Sequence, residues 1–303
     1  MTGRRRLREG ARALLVAAWL TAPAAGQPGT AAPPRQGQPT AQPNAQPTAE
    51  PTAEPGDGLS PECRVPGSQL YALGELRAVK AALAAKRPVK TLAVGGTAAL
   101  GASATYPSTL EAALERALPN VDVVMEYRGL QGGIASGAAE RLRGMVAEVE
   151  PDLVIWQVGT NDALARVETE AFTEALDETV RWIRSHGIDV LLIDPLYTAS
   201  LAGDAAYGAI VRAVGAVAAR EGAPIVLRYE AMRYLAGRAD RGEGHMLGRQ
   251  FRLNELGLRC VAEHITRAIT LSLLRTPAPP PAPPGRAEGR PAPQVESGMP
   301  TGQ

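Results

Sequence analysis

The amino-acid sequence predicts an α/β protein: a three-layer α/β/α sandwich built on a five-stranded parallel sheet. Two observations support this fold class. Short β-rich runs alternate along the chain with longer amphipathic helical patterns, and the strand candidates are continuous apolar runs instead of alternating polar and apolar residues. Strands that are apolar on both faces and connected by helices are typical of a parallel sheet that is covered on both sides.

Five strand candidates and six helix candidates follow one another within residues 62–275. The strand candidates are TLAV (91–94), VDVVMEY (121–127), LVIWQV (153–158), DVLLI (189–193) and PIVL (224–227). The helix candidates are residues 68–86, 107–118, 136–150, 168–186, 205–221 and 255–274. Pro107 falls where the first turn of a helix tolerates proline, and His186 followed by Gly187 is typical of a helix end.

Both ends of the chain are predicted to lie outside this domain. Residues 1–26 resemble a secretory signal peptide, because arginines precede an apolar run that is shorter than the roughly 20 residues of a membrane span. The Pro/Ala/Gln-rich linker 27–61 and the Pro-rich tail 276–303 have little to bury and are predicted to be disordered. We therefore expect a periplasmic or secreted protein that keeps no stable membrane span.

The chain has two cysteines, Cys63 and Cys260, at opposite ends of the predicted domain. In an exported protein two cysteines can pair and persist, so we expect a disulfide, with two buried free thiols as the alternative.

Composition and spacing also exclude several kinds of ligand. The 32 basic and 31 acidic residues nearly cancel, so no nucleic-acid partner is expected. The three histidines are scattered and no carboxylate cluster has ligand spacing, so no metal is expected. GGTAALG lacks the glycine patterns of nucleotide-binding loops, and no cofactor is predicted.

Function in parallel α/β sheets collects in the loops beyond the carboxyl ends of the strands. Here those loops are GGTAALG, RGLQGGIASG, GTND and the segment RQFRLNELG before the last helix. Their order and spacing resemble the SGNH (GDSL-type) hydrolases, secreted esterases with a flavodoxin-like fold. The resemblance implies a nucleophilic serine in G-D-S-x-x-x-G, an oxyanion hole completed by a glycine and by the asparagine of G-x-N-D, and a D-x-x-H that supplies the base and its carboxylate.

Carried over residue by residue, the resemblance is uneven. Asn161 falls on the oxyanion asparagine, and Gly132 falls on the oxyanion glycine, with Gly133 as the alternative register. The nucleophile position holds Thr97. The aspartate and histidine positions hold Arg249 and Arg252, although Asn254 and Gly257 keep the frame of that motif.

These substitutions remove the base that such a hydrolase needs. A hydroxyl attacks an ester only when a neighbouring group takes its proton, and an arginine with a pKa above about 12 cannot take it. Loss of a whole triad costs about 10⁶-fold in turnover in a hydrolase where it was measured. The oxyanion donors remain, which predicts a non-catalytic or weakly active binder of an acylated or anionic envelope ligand, a small molecule or a polysaccharide.

Two other interpretations stay open. The chain could be an active ester hydrolase, similar to a carbohydrate O-deacetylase, in which Thr97 works with a relocated base such as His245, oriented by Asp240 or Glu243. It could also be a structural module between two proline-rich arms. In that case Thr97 and Asn161 would be ordinary turn residues, and the arginines ordinary solvated charges.

Overall fold

The computed structural model describes residues 58–95, 106–118, 120–130, 133–238, 246–248 and 252–275. Its strands are β1 (Tyr71–Ala72), β2 (Val89–Gly95), β3 (Val123–Gly129), β4 (Leu153–Gln157), β5 (Asp189–Ile193) and β6 (Ile225–Val226). Its helices are α1 (Arg77–Ala84), α2 (Tyr106–Ala117), α3 (Ala135–Val149), α4 (Thr160–Leu164), α5 (Thr169–Ser185), α6 (Ala199–Ala202), α7 (Ala205–Glu221), α8 (Arg228–Ala236) and α9 (Glu255–Leu274). Two 3₁₀ turns, Pro61–Cys63 and Gly67–Gln69, precede β1.

The strands form one sheet in the order β1-β6-β5-β4-β2-β3. The pairs from β3 to β6 are parallel, as predicted, and helices cover both faces of the sheet. Successive strand residues point to opposite faces, so Leu153 and Ile155 pack in the core with α2 and α9. Val154 and Trp156 pack on the other face, in the core with α3, α5 and α7. This alternation explains why an inner strand such as β4 is apolar at nearly every position and buried at all of them.

The strand count is six, not the predicted five. The additional strand, β1, lies inside the predicted opening helix 68–86 and pairs antiparallel with β6. Gly74 passes so close to Pro224 that an added Cβ would lie 2.2 Å from the proline nitrogen, and the helix begins only at Arg77. The carboxylate of Asp189 then accepts bonds from the N–H groups of Arg77 and Val79. Tertiary pairing therefore overrides the local helical pattern here.

The beginning of the domain is attached to α9. Cys63 and Cys260 form the predicted disulfide, with 5.0 Å between their Cα atoms. The backbone N–H of Ser60 donates to Glu263 Oε2 at 2.8 Å, and Leu59 is buried. The packed domain thus includes residues that the sequence assigned to the linker 27–61. Within the described ranges, no helix is both long and apolar enough to cross a membrane.

Candidate functional site

A small cleft lies beyond the carboxyl end of β4, between the starts of α3, α4 and α8. Its polar lining comes from the segment after β4, from Gly133 and from Arg228. The described residues enclose about 30 Å³, which is room for about two water molecules. A cavity of this size fits a carbonyl or a carboxylate group.

The glycine and the aspartate of GTND serve the turn itself. Gly159 has φ +93°, and an added Cβ would lie 3.0 Å from Pro195 Cγ, so only glycine fits without strain. Asp162 Oδ1 accepts a bond of 2.7 Å from the backbone N–H of Ala135, the first residue of α3. Burial raises the pKa of Asp162 more than this N–H donor lowers it. Asp162 therefore connects α4 to the beginning of α3.

Asn161 is the residue of this turn that is placed to meet a ligand. Its side chain is half-buried and lines the cleft. Nδ2 donates to the carbonyl oxygen of Gly133 at 3.2 Å, which fixes the orientation of the amide. The NH₂ group has two hydrogens, so a second donor remains for a bound oxygen.

Arg228 is a residue of the cleft that the sequence analysis missed. It begins α8, immediately after β6, and is only 1% exposed. Its Nη1 donates to Gln157 Oε1 at 2.9 Å, and both residues line the cleft. Arg228 brings a buried positive charge to the same cavity as Asn161. An arginine directly after a buried strand at the functional edge was the available signal.

Asp194 supports Arg228 from the end of β5. Its Oδ1 accepts a 2.8 Å bond from the N–H of Tyr229, so it caps α8 from a neighbouring element. Full burial raises the pKa of Asp194 to about 7, because desolvation outweighs the attraction of Arg228 and the N–H donors. Gln157, Arg228 and Asp194 thus form a buried cluster of polar side chains next to the cleft.

Most of the predicted catalytic positions lie outside the described residues. Thr97, Gly132, His245 and Arg249 belong to this group, as do Asp240 and Glu243. Arg252 is described: it is partly exposed and its carbonyl accepts a 2.7 Å bond from Gly248 N. Arg252 is not among the described residues that line the cleft. The structure brings Asn161 to the cleft and leaves Arg252 outside it.

The frame residues of the last motif have a structural role. Asn254 caps α9, because its Oδ1 accepts a 2.9 Å bond from Gly257 N. An added Cβ on Gly257 would lie 2.3 Å from the carbonyl oxygen of Met246, so a larger residue would displace this segment.

The two described histidines lie away from the cleft. His186 ends α5 and stacks on Trp182, with 4.3 Å between the ring centroids. His264 is buried in α9, where Nε2 bonds to the carbonyl of Cys63 at 2.7 Å, and burial lowers its pKa to about 4. Among the residues that the structure describes, no group of three or more His, Cys, Asp and Glu side chains could hold a metal ion.

Comparisons with known proteins agree with this architecture. Residues 62–274 match the non-GDSL lipase-like family. Comparison with curated proteins gives no match. Among solved structures, the chain is similar to the lipase/acylhydrolase from Enterococcus faecalis, with 23% identity and a TM-score of 0.54, over 63% of this chain and 100% of that one.

Two carbohydrate esterases are also similar. A two-domain esterase (CEX) active on acetylated mannans, co-crystallised with mannopentaose, shares 20% identity with a TM-score of 0.57, over 73% of this chain and 60% of that one. The acetyl xylan esterase AlAXEase shares 18% identity with a TM-score of 0.51, over 60% and 100% of the two chains. At such identities the likeness establishes the fold, and the predicted resemblance to SGNH (GDSL-type) hydrolases is confirmed.

Proposed function

The chain belongs to the non-GDSL lipase-like family, and from that premise we propose that it is a non-catalytic or weakly active member. In this proposal it binds an acylated or anionic ligand of the cell envelope in the cleft at Asn161. The observation that carries the proposal is that the Asn161 amide and the buried guanidinium of Arg228 line the same small cavity. The ligand class is a small acyl or carboxylate group, free or attached to an envelope polysaccharide.

The physical argument rests on the charge of Arg228. A positive charge in a poorly solvated cavity attracts an anion or the oxygen of a polarised carbonyl much more strongly than it would in water. Asn161 adds a neutral donor whose orientation is fixed by the carbonyl of Gly133. The volume of about 30 Å³ that the described residues enclose suits a carbonyl or a carboxylate group. The rest of a polysaccharide would stay outside the cleft.

Weak or absent catalysis follows from the residue types at the triad positions. On the resemblance to the SGNH (GDSL-type) hydrolases, Arg249 and Arg252 stand at the aspartate and histidine positions, and neither can accept a proton at physiological pH. Thr97 therefore lacks a base at the family position.

Acetate binding tests the proposal directly. We expect wild type to bind sodium acetate in calorimetry and to bind acetamide, which has the same acyl group without the charge, more weakly. Asn161→Asp is nearly isosteric and replaces the donor by a carboxylate, so it should weaken acetate binding at least tenfold. Asn161→Gln, which keeps a donor, should retain part of the binding. Equal acetate affinity in wild type and Asn161→Asp would refute the proposed site.

A second candidate is an ester hydrolase, similar to a carbohydrate O-deacetylase, that uses Thr97 with His245. One observation supports this candidate. Arg252, the arginine at the histidine position, does not line the described cleft and so leaves that cleft open to another base. Turnover of p-nitrophenyl acetate distinguishes the candidates. Loss of activity in both Thr97→Ala and His245→Ala would establish the enzyme, whereas background activity that neither substitution changes supports the binder.

Export to the periplasm or the medium is part of the proposal. The disulfide between Cys63 and Cys260 supports it, because such bonds persist in oxidising compartments. Fractionation of cells that produce the full chain, followed by immunoblotting, tests it. A product confined to the cytoplasm at its full length would contradict export.

A further inference from the structure

A second, larger cleft lies at the opposite edge of the sheet, where β5 and β6 begin. It is bounded by the segment after β1, by α1 and by the carboxyl-terminal ends of α5, α7 and α9. Its volume is about 700 Å³, within the range of about 300–1,000 Å³ that is usual for ligand pockets. No part of it belongs to the candidate site described above.

The lining of this cleft has an excess of positive charge. Five cationic side chains and two carboxylates line it: Arg77, Lys80, Arg184, Arg220 and Arg275, with Glu75 and Glu221. Two of the cations form close ion pairs, Arg77 with Glu75 at 2.7 Å and Arg220 with Asp177 at 2.7 Å. Glu221 pairs with Arg181, which does not line the cleft.

The other three cations have no carboxylate within ion-pair distance in the described part of the chain. Lys80 Nζ donates to the carbonyl of Arg275 at 2.8 Å, and Arg275 Nη1 donates to the carbonyl of Leu73 at 2.7 Å. These neutral acceptors hold the two side chains in place without a carboxylate at ion-pair distance, although Glu75 acts on Lys80 at longer range.

Among these three cations, the environment of Arg184 gives the strongest support for an anion site. It is half-buried, and no hydrogen bond or ion pair joins its side chain to another residue of the described ranges. Its Nη1 is inaccessible to solvent and has no acceptor. The buried Nη1 cannot reach a ligand in the cleft, but Arg184 also lines the cleft, and an anion bound there would offset the charge of its guanidinium. Asp189 and Glu75 act on Arg184 only at longer range.

Small residues in the lining account for the volume of the cleft, and the lack of aromatic side chains in the described lining limits the class of ligand. Gly215, Ala218, Ala219, Gly222 and Ala223 line it, and such small residues leave open space between the cations. The described lining contains no aromatic side chain on which a base or a sugar ring could stack. Recognition must therefore rest on charge and hydrogen bonding.

We propose that this cleft binds a ligand with two or more anionic groups, carboxylates or phosphates, through Lys80, Arg184 and Arg275. Guanidinium groups match both kinds of anion with paired, charge-assisted hydrogen bonds. The site is separate from the cleft at Asn161, so this proposal does not depend on the proposed function. An acidic oligosaccharide and an oligophosphate are the two sources of such chemistry.

Calorimetry at low salt with tetragalacturonate and with tripolyphosphate tests the site and separates the two sources. We expect one of them to bind, and neutral xylotetraose not to bind. The double variant Lys80→Gln/Arg184→Gln should lose at least tenfold in affinity, and added salt should weaken binding in wild type. The double variant should unfold at the same urea concentration as wild type, which would show that the fold is intact.

Arg116→Gln is the matched control. Arg116, like Arg184, is an arginine in the last turn of a helix, here α2; it is more exposed than Arg184 and lies away from the cleft. It should bind the anion as wild type does. The proposal is overturned if neither anion binds, if the double variant binds like wild type, or if Arg116→Gln loses as much affinity as the double variant.

Discussion

Single residues of the GTND turn divide their roles between structure and ligand. Gly159 permits the backbone geometry, and Asp162 holds the start of α3. Asn161 alone of these three offers a side-chain donor to the cleft. One inherited motif therefore contains two residues that the fold requires and one that is available for binding. Arg228 adds the charge, and its environment depends on Asp194.

Asp194→Asn is expected to change how stability depends on pH. Burial raises the pKa of Asp194 from its ordinary value near 4 to about 7. The folded protein therefore binds a proton that the unfolded chain releases, and the stability this contributes is present below about pH 4 and lost as the pH rises to about 7. Relative to the variant, wild type should lose up to about 1.4 kcal/mol per pH unit in that window. Urea unfolding at several pH values measures it.

Asp204→Asn provides the control for this experiment. The pKa of Asp204 is lowered to about 2, mainly by its hydrogen bond with Arg166. Its contribution should therefore change below about pH 4 and stay constant from pH 5 to 7. If the difference between Asp194→Asn and wild type is also constant across pH 4–7, Asp194 is ionised throughout and the assigned cause is wrong.

At the scale of elements, prediction from sequence succeeded where a local pattern and tertiary packing agree. The predicted helices 205–221 and 255–274 coincide with α7 and α9, because an aspartate and an asparagine cap them, and each has an apolar side to bury. The predicted strands were located to within two residues at their ends, and the best located, β5, is buried at every position.

The elements that were missed depend on contacts distant in sequence. Strand β1 has two residues and exists only because β6 pairs with it. Helix α8 lacks a cap of its own and is capped by Asp194 from the end of β5. The same distinction applies to the site. Asn161 lies in the local motif GTND and was predicted, whereas Arg228 was missed because its bond to Gln157 joins residues 71 positions apart.

The disulfide between the first 3₁₀ turn and α9 should be a major contributor to stability. It joins residues 197 positions apart, and the chain-entropy model gives about 5 kcal/mol for a loop of that length. The variant Cys63→Ala/Cys260→Ala should lose about 2–5 kcal/mol in free energy of unfolding. Urea unfolding with and without a reductant measures it, and the variant itself should be insensitive to the reductant. Equal midpoints for wild type in both conditions would contradict the expectation.

At the scale of the whole molecule, the two edges of the sheet carry different chemistry. The carboxyl edge holds a small cavity with one buried cation, and the opposite edge holds a wide cleft with a row of cations. Both are assembled by segments from across the domain, and α9 extends to the basic cleft from the disulfide-linked beginning of the domain. A shortened chain must therefore include the whole packed domain if it is to keep both sites.

The packed domain is expected to need residues 58–61 in addition to the predicted 62–275. Leu59 is 5% exposed, and the burial of a leucine side chain is worth about 1.5–3 kcal/mol. Ser60 adds bonds of 2.8 and 3.0 Å from its N–H and hydroxyl to Glu263 Oε2. A chain spanning 58–275 should unfold at the same urea concentration as the full chain, and a chain spanning 62–275 should be about 2–4 kcal/mol less stable.

The substitution Leu59→Ala in the 58–275 chain separates packing from length. It removes the buried side chain and keeps Ser60 in place, so it should reproduce most of the loss seen in the 62–275 chain. Both chains retain Cys63 and Cys260, and a difference between them therefore cannot come from the disulfide. If the chains 58–275 and 62–275 unfold at the same urea concentration, the burial of Leu59 and the bonds of Ser60 to α9 contribute nothing, and the domain begins where the sequence alone placed it.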